Sequence, residues 1–133
     1  ETRDWRLANP SLQSPASSLK MYKFTTLYRK VDDLDAVDNF FSHTHLPLAE
    51  QLPGLLKSEV SRVMGKPAGE SRFYLTYELY FTSRAAFEDA MKSKPGVFLM
   101  LNLTPWAEKR LVTWFYAEAF EEDAGGNGRD EEE

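Results

Sequence analysis

The chain of 133 residues has no cysteine, which removes disulfide staples, thiol nucleophiles and thiolate metal ligands together. That absence suits reducing and oxidising compartments alike, and a cytoplasmic location is the working expectation. Long apolar runs are also missing. The longest, Val97 to Leu101, falls far short of the roughly 18 to 20 residues that cross a bilayer, so no membrane partner is expected. Positive charge is sparse and scattered: sixteen Lys and Arg stand against twenty-one Asp and Glu, a formal charge of −5 that argues against nucleic acid. A Gly-rich phosphate loop, a Gly-x-Ser-x-Gly elbow and a dinucleotide fingerprint are all lacking, so NAD, ATP and acyl-enzyme chemistry have no sequence support and no cofactor is expected. Histidine is scarce too. On a continuing helix His43 and His45 would diverge by about 200°, and a His-x-His pair without a third ligand does not make a metal site, so no metal is expected.

Aromatic residues, by contrast, are abundant. Nine Phe, six Tyr and three Trp in so short a chain require a large apolar interior, a lined pocket or a protein interface. The hydrophobic share of 42% is enough for one core, and the length suits one domain. Residues 1–20 combine Ser and Pro without periodicity and read as a poorly ordered extension, with Met21 the candidate start of the domain. Residues 122–133 combine Gly with an acidic run and read as a solvated, disordered tail. The domain itself is expected over 21–121.

Between the tails the apolar period switches between two and about 3.6. A first strand is read at 22–30. A first helix follows at 33–43, capped by Asp32 or Asp33, with Leu34, Val37, Phe40 and Phe41 on its apolar face. Pro47 is expected to break that helix and push Leu46 out of the α region, leaving His45 at an irregular joint. A second strand is read at 55–64, ended by a turn from Gly65 to Gly69. The third, Phe73 to Phe81, alternates most clearly: Phe73, Leu75, Tyr77, Leu79 and Phe81 face the helices, while Tyr74, Thr76, Glu78 and Tyr80 face away. Thr82 or Ser83 caps a second helix that Pro95-Gly96 is expected to stop, with a short helical stretch at 97–101. The fourth strand, 111–120, has two apolar faces and is expected to be covered on both sides.

This order predicts an α+β, ferredoxin-like βαββαβ fold with both helices on one face of a four-stranded antiparallel sheet. Its other face, carrying Tyr74, Tyr80 and Trp114 or Phe115, would expose more apolar surface than monomers tolerate, which predicts a homodimer.

The segments Thr44-His45-Leu46-Pro47-Leu48-Ala49, Leu52-Pro53-Gly54-Leu55 and Glu78-Leu79-Tyr80-Phe81, in that order, resemble the EthD family, named for ethyl tert-butyl ether degradation. The resemblance covers about 100 of the 133 residues. It implies a dimeric α+β barrel with a pocket between each sheet and its helices or adjoining loops. It also implies kinship with cofactor-independent monooxygenases, cyclases, dehydratases, decarboxylases and proteins without an established reaction. A shared fold does not choose among these.

His45 is the leading catalytic candidate, because imidazole titrates nearest neutrality; the competing role is to bond a free carbonyl at the helix end. Glu78, amid aromatic residues, is a second candidate for proton transfer, and could equally pair with a Lys or Arg of another subunit. Tyr28, Tyr74 and Tyr80 could donate to a substrate carbonyl or enolate, and Trp114 could stack on a planar ring, although such residues also serve as interface packing. The expected function is a cofactor-free oxidoreductase or a proton-transfer enzyme, cyclase or decarboxylase, acting on a hydrophobic aromatic or carbonyl compound. The alternative is a non-catalytic ligand-binding or accessory protein of a degradation pathway.

Overall fold

The computed structural model describes residues 18–122. Its elements run β1 (Ser18–Arg29), α1 (Leu34–Phe40), a π-helical turn (Phe41–His45), α2 (Leu46–Glu50), β2 (Lys57–Arg62), β3 (Phe73–Phe81), α3 (Arg84–Lys92), α4 (Lys94–Glu108) and β4 (Val112–Glu122). Apart from their inner ends, the expected N-terminal extension and acidic tail lie outside the described residues. Those inner ends are strand: Ser18 to Lys20 pair with Phe120 to Glu122, so β1 starts ahead of Met21.

All strand pairs are antiparallel, in the order β2-β3-β1-β4, the ferredoxin-like topology that the alternation predicts. The helix-facing side carries Phe24 and Tyr28 of β1 and Leu75, Tyr77, Leu79 and Phe81 of β3, all buried. Against them pack Val37 and Phe41, Phe87 and Ala90 of α3, and Leu99 and Leu103 of α4. Among the described residues, no helix is long and apolar enough to cross a membrane.

The helices depart from expectation at Pro47 and in the length of the helix that holds Pro95. Asp33 caps α1 as predicted, its Oδ1 accepting from the Ala36 N–H at 3.0 Å. Pro47 does not then end the helical path, because Leu46 stays in the α region and bonds the Phe41 carbonyl. Such i→i−5 bonding widens the turn ahead of the proline, where a regular helix would bring its ring against a carbonyl. The second helix stops at Lys92, ahead of Pro95-Gly96 as expected, and Pro95-Gly96 then lies in the first turn of the next helix. Ser93 Oγ accepts from the Gly96 N–H at 3.3 Å, and a proline in the first turn supplies the helical φ at no loss of a hydrogen bond. The short stretch expected at 97–101 is therefore the middle of a 15-residue helix. Gly96 is required by contact, since a Cβ there would lie 2.3 Å from the Ala90 carbonyl oxygen.

Two sheet expectations also change. β4 is an edge strand, and Phe115 and Tyr116 are 46% and 50% exposed, so its own chain does not cover it on both sides. The β1–β3 register slips between Tyr28 and Arg29, leaving Tyr74 as the extra residue on β3. That bulge turns Tyr74 from the open face toward α1, where its hydroxyl bonds Asp38.

Candidate functional site

Val37, Phe41, His45 and Ala49 form a buried stripe spaced every four residues. In a regular α-helix each such step overshoots a full turn by about 40°, which would walk the stripe off the sheet. The π turn at Phe41–His45 takes up that drift and holds His45 against the sheet. His45 is therefore fully buried within a helical path, where an irregular joint was expected.

The His45 ring meets Tyr28 of β1, whose hydroxyl lies 2.5 Å from Nδ1. Among the described residues this is the only hydrogen bond of either group, which assigns the roles. A buried phenol O–H needs an acceptor, so Tyr28 donates to Nδ1 and the His45 proton sits on Nε2. Nε2 is buried and has no partner among the described residues. Burial lowers the His45 pKa to about 3, and burial likewise raises the Tyr28 phenol, with Tyr77 adding to the effect. The imidazole is thus neutral at physiological pH. It presents a buried Nε2–H donor and is not the near-neutral base that its residue type suggests.

Three aromatic rings enclose it: Tyr28, Phe41 and Tyr77, with centroids 5.8, 5.4 and 4.9 Å from the imidazole. Trp106 of α4 stacks on Phe40 at 4.5 Å and meets Tyr28 edge-on at 6.0 Å. Thr26, opposite Tyr77 in the ladder, and Tyr77 itself each bury an oxygen without a hydrogen bond among the described residues. Burial raises the Tyr77 phenol, Ser58 opposes that shift from beside it without a well-formed hydrogen bond, and Glu50 adds to it. Sequence reasoning missed Thr26, Tyr77 and Trp106 as site residues. Tyr77 sat on a face read as pure packing, and Trp106 lay beyond the helical stretch expected after Pro95.

The other candidates separate into different places. Glu78 and Tyr80 occupy the open face of the sheet, since Glu78 follows Tyr77 on a pleated strand. There Glu78 pairs with Lys23 of its own chain at 3.0 Å and accepts from the Tyr80 hydroxyl at 3.3 Å. The Glu78 bond raises the Lys23 pKa against the opposing pull of burial. Tyr74 bonds Asp38 at 3.0 Å, with Arg62 over its ring. Trp114 lies on the helix-facing side, its ring edge-on to Phe24 at 6.2 Å. Of the six predicted residues, His45 and Tyr28 meet behind the sheet, while Glu78 and Tyr80 meet on its open face.

His43 is exposed, its Nδ1 3.0 Å from the Asn39 carbonyl oxygen, so the two histidines point apart. Among the described residues no three His, Asp or Glu side chains are grouped to hold a metal ion.

An EthD family protein of known structure from Bacillus halodurans is 34% identical to this chain; the match covers 74% of this chain and 98% of that one, with a TM-score of 0.69. The chain belongs to the EthD family. Its members' ferredoxin-like frame is thus the one that places His45 behind the sheet here. An uncharacterized 11.0 kDa protein in the thcB-thcC intergenic region of Rhodococcus erythropolis is 29% identical over 76 residues, 57% of this EthD chain and 74% of that protein. SnoaB, described as a cofactor-independent oxygenase from Streptomyces nogalater and solved as a mutant, shares the fold at 13% identity and a TM-score of 0.50, over 75% of this chain and 90% of its own. No protein-family model matches the chain.

Proposed function

We propose that this EthD-family protein binds a hydrophobic small molecule carrying a carbonyl or phenolic oxygen, and that His45 donates Nε2–H to that oxygen. The observation that carries this reading is the buried, unpartnered Nε2. An orphaned buried donor is costly, roughly 1 to 3 kcal/mol, and a ligand oxygen would recover that loss. A fixed donor in a water-poor site also stabilises charge that develops on oxygen. Oxygenation, cyclisation and decarboxylation of such compounds all place charge there. Cofactor-independent oxygenation comes to this chain as a proposal from the fold it shares with SnoaB, and oxygen uptake during turnover tests it.

Because His45 is fully buried, the ligand reaches Nε2 only when the aromatic cover opens. Native mass spectrometry of gently purified protein should show a retained small molecule, and His45→Leu should lose it while remaining folded. Full retention by His45→Leu sinks the proposal. A second reading, ligand carriage without catalysis, is favoured by the depressed His45 pKa, which makes the neutral imidazole a weak proton acceptor. A small molecule retained by the wild type, lost by His45→Leu and turned over by neither would select it.

We also propose that the open sheet face is covered by a second copy of the chain, on the ground that Phe115 is exposed there beside the paired Lys23 and Glu78. Light scattering should give a mass of two chains, and a monomer at micromolar concentration refutes it.

A further inference from the structure

A groove of about 290 Å³ opens between α3, α4 and β4, on the helix-facing side of the sheet but away from His45. Its walls are Phe87 and Met91 of α3, Met100 of α4 and Tyr116 of β4, with Glu88 and Lys92 at the rim. Tyr116 stands opposite Phe24 on β1, whereas the His45 site is built on Tyr28. Four residues of strand separate those two rows, roughly 13 Å at about 3.3 Å per residue.

The groove has the features of a ring site. Phe87 and Tyr116 meet at 5.4 Å with their planes tilted by 59°, and Tyr116 leaves half its surface uncovered. Two thioether side chains complete the wall, and methionine adapts its shape to a ligand ring and contacts it favourably through sulfur. The volume lies at the lower end of small-molecule pockets and suits one or two fused rings. Charge at the rim then selects the ligand. Glu88 is neutralised by Arg84, whose Nε lies 2.9 Å from its carboxylate, while Lys92 has no partner among the described residues. The opening therefore presents one uncompensated cation beside an apolar, aromatic floor.

We propose that this groove binds an aromatic carboxylate, its ring among Phe87, Met91, Met100 and Tyr116 and its carboxylate on Lys92. This binding is independent of the His45 site.

The test uses the full chain with 13C-labelled methionine methyl groups, titrated with 2-naphthoate and with neutral 2-naphthamide. The Met91 and Met100 methyls should shift under the naphthalene ring current, while Met64, 91% exposed and elsewhere on the surface, should stay still. Naphthoate should bind about three- to fivefold more tightly than naphthamide, the size of an exposed ion pair. Lys92→Gln, a surface change, should erase that preference and leave ring binding intact, and His45→Leu should leave both unchanged. Unmoved Met91 and Met100 methyls overturn the proposal, as does equal affinity of the wild type for the two probes. Shifts of those methyls with protein concentration alone also overturn it, because a second copy would then occupy the groove.

Discussion

Tyr28 holds His45 by a single hydrogen bond, hydroxyl to Nδ1 at 2.5 Å, and so decides which imidazole nitrogen faces inward as a donor. Tyr28→Phe removes the only donor to Nδ1 among the described residues. The variant should lose about 1 to 3 kcal/mol in urea denaturation. Its 15N spectrum should show the His45 tautomers mixing where the wild type has one, and an unaltered tautomer would overturn the assignment.

The buried neutral His45 makes stability depend on pH. Its folded pKa, about 3, lies below the unfolded value near 6.5, so between them the unfolded chain binds more protons. Its contribution is full above about pH 6.5 and is lost as pH falls toward 3. Between pH 6.5 and 5 the loss is about 2 kcal/mol from this group. Urea midpoints at several pH values should follow that slope, and His45→Leu should flatten it in this window. An equally steep slope in the variant would assign the effect to other groups.

Glu78→Gln should leave the His45 site untouched, because the two residues lie on opposite faces of the sheet. The Lys23–Glu78 pair is about a quarter exposed, at 24% and 22%, and its loss should cost about 1 kcal/mol or less. Chemical shifts of the His45 ring should not move. A clear shift there would show coupling through the sheet.

Gly96→Ala should destabilise strongly for a change of one methyl group. The added Cβ meets the Ala90 carbonyl at 2.3 Å and Met91 Cα at 2.6 Å, all backbone atoms, so α3 and α4 must separate. A loss of about 1 to 3 kcal/mol is expected from overpacking of this kind, read as a lower thermal midpoint. A midpoint equal to wild type would mean that the helix junction yields freely.

The topology was legible in the sequence because it rests on local periodicity. Phe73 to Phe81 alternates without interruption, and its burial follows that alternation from Leu75 onward. The caps at Asp33 and Ser83 were legible for a similar reason, each acting on a backbone N–H three residues away. Pro47 misled, and the length of the helix after Pro95 was underestimated, because a proline's effect depends on the turn it enters. Pro47 follows a π turn that admits its ring, and Pro95 follows a capping serine that lets it begin a helix. Tyr74 was misplaced because a bulge arises from pairing between strands, which neither strand encodes alone.

Residue type and spacing thus determined by themselves the element order, the face of β3 that is buried and the choice of His45 and Tyr28 as candidates. Only the tertiary structure decided that these two meet, that Glu78 stands on the far side of the sheet and that His45 is neutral. The reason is physical: periodicity is a property of neighbours along the chain, whereas contact, desolvation and proton placement depend on what the folded chain brings against each side chain.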